Sequence, residues 1–245
     1  MNRDNAIIRV FDVTRKYRLG EEIVWALQGI SLDIHEGEYL SIMGPSGSGK
    51  STLFNMIGAL DIPTTGKIEF MNEDLFSLPE EKQAWIRCNK IGYNFQSYNL
   101  VMVMTALENV ALPMILRGEP QGQAHKRAIE ILERVGLGHR IDHLPMHLSG
   151  GQMQRVAIAR SLANNPSVIL ADEPTGNLDS KTGEEIIQLL KSLQTEQGVT
   201  IITATHDVKM LSISDRIAWV RDGKLERLEK REDVKIHTGG MDKAE

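Results

Sequence analysis

The chain has 245 residues, enough to bury the core of one large domain or of a main domain with a smaller lobe. Hydrophobic residues at 41% and charged residues at 25% are ordinary globular usage and exclude disordered and fibrous classes, while a net charge of -5 argues against a surface built to coat nucleic acid. No stretch approaches the roughly 18 to 20 apolar residues that span a bilayer, Met1 to Asn5 carries no secretory pattern, and the lone Cys88 excludes an intrachain disulfide and a cysteine zinc site, so a cytosolic setting is expected.

Residues 7–13 and 29–34 alternate apolar with polar, as half-buried strands do, and predict an antiparallel β portion at the N-terminus. The runs 39–43, 168–171 and 200–204 are nearly continuous in apolar residues, the pattern of parallel strands covered on both faces. Helical periodicity fills 50–60 after the first run and 184–194 between the other two, so a three-layer α/β domain with a mostly parallel sheet is expected. Between about 97 and 163 the chain reads mostly helical, with 124–135 amphipathic through Ala128, Ile131, Leu132 and Val135, as an inserted α-helical lobe would. Segments 216–220 and 224–228 flank Asp222-Gly223, a hairpin signal. The expected division is one main domain over 1–228 and a charged, aperiodic tail over 229–245.

Gly44-Pro45-Ser46-Gly47-Ser48-Gly49-Lys50-Ser51-Thr52 follows a predicted strand and opens a predicted helix, the context that turns this pattern into a phosphate loop and the domain into a P-loop NTPase core. The glycines let backbone N–H groups wrap the phosphates of ATP at a helix N-terminus, Lys50 adds a point charge, and the Ser51 hydroxyl can ligate Mg²⁺. The strand 168–171 runs into Asp172-Glu173, where open α/β sheets place ligand chemistry. Asp172 would hold Mg²⁺ through water, and Glu173 would polarise the water that attacks the γ-phosphorus. An acidic pair after a strand is by itself more often a solvated turn; a phosphate loop reverses that preference.

Leu148-Ser149-Gly150-Gly151-Gln152 is a second phosphate cradle. Ser149 is a good N-cap, and the apolar spacing of Val156, Ala157, Ala159 and Ala163 starts a helix near Gly151 or Gln152, leaving backbone N–H groups bare at two glycines. At average composition this string arises in about one chain in several thousand. Taken with the phosphate loop, it resembles the ATP-binding cassette family, whose ATPase subunits drive transporters, and the resemblance covers residues 7–228.

That resemblance implies a head-to-tail dimer, or a pair of cassettes, in which each signature closes on the ATP held by the other phosphate loop. It also implies that Gln96 senses Mg²⁺ and the attacking water, His206 acts as a switch histidine, Asp179 in Asn177-Leu178-Asp179 lies on a loop crossing to the partner, and Tyr17 stacks on adenine. No position needed for hydrolysis is substituted, so an active ATPase is expected. Gln96-Ser97-Tyr98-Asn99-Leu100, the run from Thr105 to Pro113 and the run from Asp172 to Asp179 resemble the macrolide-export and lipoprotein-release branch, which implies an integral membrane permease as partner and a place on the cytoplasmic face of the membrane. The apolar run Val101-Met102-Val103-Met104 lacks the proline common in relatives; it reads either as a docking surface or as lobe core. His139, His143 and His147 are spaced four apart, but Pro145 breaks the helix a metal face would need, so no metal beyond Mg²⁺ is expected. A soluble cassette ATPase acting in DNA repair or translation is the alternative reading, disfavoured by the single phosphate loop, single signature and single cysteine.

Overall fold

The three apolar runs lie side by side in one sheet. The computed structural model describes residues 5–234, and among them β3 (Tyr39–Met43), β7 (Val168–Asp172) and β8 (Thr200–Thr205) are neighbours in a six-stranded sheet. β6 (Ile91–Asn94), β9 (Arg216–Arg221) and β10 (Lys224–Lys230) complete it in the order β10-β9-β3-β8-β7-β6, and every pair is parallel except β10 with β9. Successive residues of each central strand enter different cores, which is why these runs are apolar without alternation: Leu40, Leu170 and Ile202 pack on one face, Tyr39, Ile169 and Ile201 on the other. Each such fully buried side chain contributes about 1.5–3 kcal/mol.

The first face is covered by α1 (Lys50–Ile57) through Leu53, Phe54, Met56 and Ile57, and by a four-stranded antiparallel sheet in the order β2-β1-β4-β5. Here β1 (Ala6–Leu19) and β2 (Glu22–His35) are much longer than the alternating stretches 7–13 and 29–34, because their outer halves are solvent-facing and carry no apolar period. β4 (Thr65–Phe70), β5 (Glu73–Asp74) and α2 (Glu80–Lys90) had no sequence signature either; α2 buries only Ile86, so periodicity had nothing to register.

The second face is covered by α6 (Ser180–Gln197) and by α3 (Ala106–Leu116), α4 (Gln121–Arg134) and α5 (Gly150–Leu162), the helical lobe. A capping box between Thr105 and Glu108 starts α3, and Ala124, Ala128, Ile131 and Leu132 form the buried stripe of α4. α6 begins four residues before the expected 184, because Asp179 caps it. The strand β10 continues to Lys230 and is followed by a single 3-10 turn, Arg231–Asp233; residues 235–245 of the expected tail lie outside the described residues. No helix among the described residues is long and apolar enough to cross a membrane.

Candidate functional site

β3 ends at Met43, α1 starts at Lys50, and the loop between them passes neighbouring backbone too closely for a side chain at its first and last glycines. A Cβ on Gly44 would lie 2.0 Å from the Val220 carbonyl oxygen, and one on Gly49 2.5 Å from that of Ala26. Gly49 also takes a left-handed φ of 101° as the N-cap of α1, which has no side-chain cap, so the first N–H groups of the helix stay free. The β9–β10 turn buttresses the loop from outside through Gly223 N–H, which donates to the Ser48 carbonyl at 2.9 Å. Lys50 folds back over the loop, its Nζ donating to Gly44 O at 2.8 Å and Pro45 O at 2.9 Å. Burial pushes its pKa down, against the opposing pull of the Glu173 and Asp172 carboxylates.

Those groups share one cavity of about 650 Å³, lined by the loop from Pro45 to Thr52, by Gln96, Asp172, Glu173 and His206, and by Val24, Trp25 and Ala26 of β2. Asp172, at the end of β7, has its pKa raised by burial and by the neighbouring Glu173, with Lys50 pulling it down. Glu173 sits at φ 43°, an unusual conformation for a side-chain-bearing residue that costs about 1–3 kcal/mol. Its N–H donates to Ala204 O at 2.8 Å. Both carboxylate oxygens are engaged: His206 Nδ1 lies 2.8 Å from Oε1, and the Thr205 hydroxyl lies 2.9 Å from Oε2. Asn177 Nδ2 donates to the Gln96 carbonyl at 2.9 Å, tying the Gln96 segment to the loop that follows Glu173. Sequence reasoning singled out neither Thr205 nor Asn177's bond. Thr205 was visible only as the residue before His206, and its partner lies 32 positions away.

The second cradle is built differently. Ser149 and Gln152 form a reciprocal capping box, with Gln152 N–H donating to Ser149 Oγ at 3.3 Å and Ser149 N–H to Gln152 Oε1 at 3.0 Å. Gly150, one residue earlier than expected, is the first residue of α5, and a Cβ there would lie 3.3 Å from the Tyr98 hydroxyl, 3.5 Å from Leu178 and 3.9 Å from the Asn177 carbonyl oxygen. Gly151 is buried, and a Cβ there would fall 2.2 Å from the Thr182 methyl. Its glycine is therefore explained by packing against α6 rather than by an open N–H. Asp179 accepts from Lys181 and Thr182 N–H groups and from the Thr182 hydroxyl, and the Thr182 bonds chiefly hold its carboxyl below the usual range. The signature and the 177–179 loop are thus packed together, yet neither Ser149 to Gln152 nor Asp179 lines the cavity that contains the phosphate loop.

Tyr17 itself does not line the cavity. Its hydroxyl donates to Asp61 at 2.6 Å, and the Arg15 guanidinium lies 4.6 Å from its ring centroid, whereas Val24, directly across the ladder from it, and Trp25 do line the cavity. In the run 101–104, Met102 and Val103 are 56% and 84% exposed, so these two side chains are not lobe core. The buried Asn109 amide holds the run's backbone through Val101 N–H, Val101 O and Met104 O. His139 and His147 lie on separate 3-10 turns, and His143 accepts a hydrogen bond from Arg140 at 2.9 Å.

A family model described as ABC transporter matches residues 27–176. An uncharacterized ABC transporter ATP-binding protein of Methanocaldococcus jannaschii is 52% identical over 228 residues, covering 91% of this chain and 97% of that one. The dimeric structure of that cassette in a post-hydrolysis state, bound to ADP and phosphate, superposes with a TM-score of 0.85 at 49% identity, over 91% of this chain and 98% of the other. The lipoprotein-releasing system ATP-binding protein LolD of Shewanella frigidimarina is 44% identical over 90% of this chain and 92% of its own length. The macrolide export ATP-binding/permease protein MacB of Syntrophobacter fumaroxidans is 47% identical over 90% of this chain, which spans 31% of that longer protein.

Proposed function

The chain belongs to the ABC transporter family, and from that premise we propose that it is the ATP-hydrolysing subunit of a transporter, working as a closed pair of cassettes on the cytoplasmic face of a membrane permease. The observation that carries the reading is the separation of the two phosphate cradles: the phosphate loop, Asp172, Glu173 and His206 share one cavity, and Ser149 to Gln152 do not line it. A cradle that does not face its own nucleotide fits the nucleotide of a second copy, and the matched archaeal cassette is dimeric.

In this reading the free N–H groups at the start of α1 wrap the phosphates, and Lys50 trades the Gly44 and Pro45 carbonyls for phosphate oxygens. The base lies along β2 where Val24 and Trp25 line the cavity, with Tyr17 directly across from Val24. Ser51, Gln96 and Asp172 offer a hydroxyl, an amide oxygen and a carboxylate to the same cavity, a donor set that fits a hard divalent cation. When bound, Mg²⁺ there neutralises charge on the phosphate oxygens. Glu173 accepts the proton of a water that attacks the γ-phosphorus while the bond to the bridging oxygen breaks, giving ADP and phosphate. The start of α5, at Ser149 and Gly150, completes the partner's site, and Asp179 holds the loop beside it.

Likeness to LolD and to the ATP-binding part of MacB supports a permease that exports or extracts a lipid, lipoprotein, peptide or drug. The cassette extends through β10 to Lys230, with its lobe at about 97–163. ATP turnover by the purified chain, compared with Glu173→Gln, tests the assignment. A loss of about 100-fold or more supports it; equal turnover overturns it.

A further inference from the structure

We infer that Thr205 is the positioning residue that aims the Glu173 carboxylate, an inference that rests on the proposed role of Glu173 as proton acceptor. Thr205 is the last residue of β8, fully buried, and paired in register with Met43 at the end of β3, so its backbone is fixed by the centre of the sheet. Its hydroxyl has two partners with opposite demands. The Asp207 N–H donates to Thr205 Oγ1 at 3.0 Å, and Oγ1 lies 2.9 Å from Glu173 Oε2. The carboxylate can only accept, so the single hydroxyl hydrogen points at Glu173. The other holder of Glu173, His206, has a side chain 67% exposed, whereas Thr205 is fully buried in the sheet.

The same hydroxyl joins the base to the loops around the nucleotide. Asp207 Oδ2 accepts from the Thr175 hydroxyl at 2.9 Å, and Thr175 is two residues before Asn177, which holds the Gln96 carbonyl. A shift of the Gln96 or 177–179 segments is thereby passed to the carboxylate through hydrogen bonds of fixed direction.

Thr205→Ala and Thr205→Ser both remove the buried methyl and differ only in the hydroxyl, so the pair separates aiming from packing even if the isosteric Thr205→Val fails to fold. Thr205→Ala is expected to lose about 10- to 100-fold in kcat, with KM for ATP and ATP-driven dimerisation by sedimentation unchanged, and Thr205→Ser to recover most of the loss. In a single-turnover assay on the Glu173→Gln background, Thr205→Ala is expected to cost nothing further. Equal turnover of the Ala and Ser variants, a loss confined to KM, or an undiminished loss on the Glu173→Gln background overturns the inference. If Glu173→Gln itself leaves turnover intact, it is the role of Glu173 that fails.

Discussion

The starts of α1 and α5 are both helix N-termini preceded or opened by glycine, and they are finished in opposite ways. α1 has no side-chain cap and takes Gly49 at positive φ, so its N–H groups remain unsatisfied and Lys50 stands over them. α5 is closed by the Ser149–Gln152 box, which already satisfies the Gln152 N–H. An uncapped start is a receptor that waits for phosphate, whereas a capped start is a rigid lip that adds contacts to a nucleotide held by something else. The contrast assigns strong binding to the first and completion of a neighbour's site to the second.

The largest expected effect strikes the receptor. Lys50→Ala should weaken ATP binding by about 100-fold, measured by equilibrium titration with a fluorescent analogue; unchanged affinity would place the phosphates elsewhere. Next come the two glycines of the lip, which the comparison separates from each other. Gly151→Ala drives a Cβ into the Thr182 methyl and should destabilise by about 1–3 kcal/mol in urea unfolding, with Thr182→Ser restoring much of the loss. Gly150→Ala brings its Cβ no nearer than 3.3 Å, to the movable end of the Tyr98 side chain, and should cost clearly less than Gly151→Ala; a loss as large as that of Gly151→Ala would mean the signature glycines are both packing residues. Smaller still, Ser149→Ala should cost about 1 kcal/mol as a lost cap.

The smallest effect is one of pH. Hydrogen bonds from Thr182 hold the folded Asp179 carboxyl below its ordinary range, so its contribution is complete above the unfolded value and is lost as pH falls through the lower folded one. Asp179→Asn should therefore be less stable than the parent at neutral pH and converge with it at acid pH, flattening that part of the acid limb, read from thermal unfolding at a series of pH values.

What the sequence discloses follows the same division between local and distant causes. β3, β7 and β8 are legible because burial on both faces leaves each short run nearly continuous in apolar residues, with polar ones such as Ser41 and Thr203 bonded to each other. α2 and the outer halves of β1 and β2 are not, since they bury little and are held by neighbours rather than by their own pattern. In the site, Lys50, Asp172 and Glu173 are legible because their chemistry lies in residue type and spacing. The Thr205–Glu173 bond and the packing of Gly151 on Thr182 are not, because each joins segments about 30 residues apart that only the sheet brings together. The contacts of Tyr17 with Asp61 and Arg15 are likewise invisible to spacing, since Asp61 lies 44 positions away.

The claim that one chain's lip completes another chain's receptor is tested most directly by mixing two inactive variants, Lys50→Ala and Gly150→Asp. Each homodimer lacks a working element in both sites. In a mixed pair, one site joins the intact phosphate loop of the Gly150→Asp chain to the intact signature of the Lys50→Ala chain. The account predicts that the mixture regains ATP turnover at a fraction of the parental rate, rising with the proportion of mixed dimers; no recovery, with mixed dimers shown to form, would contradict it.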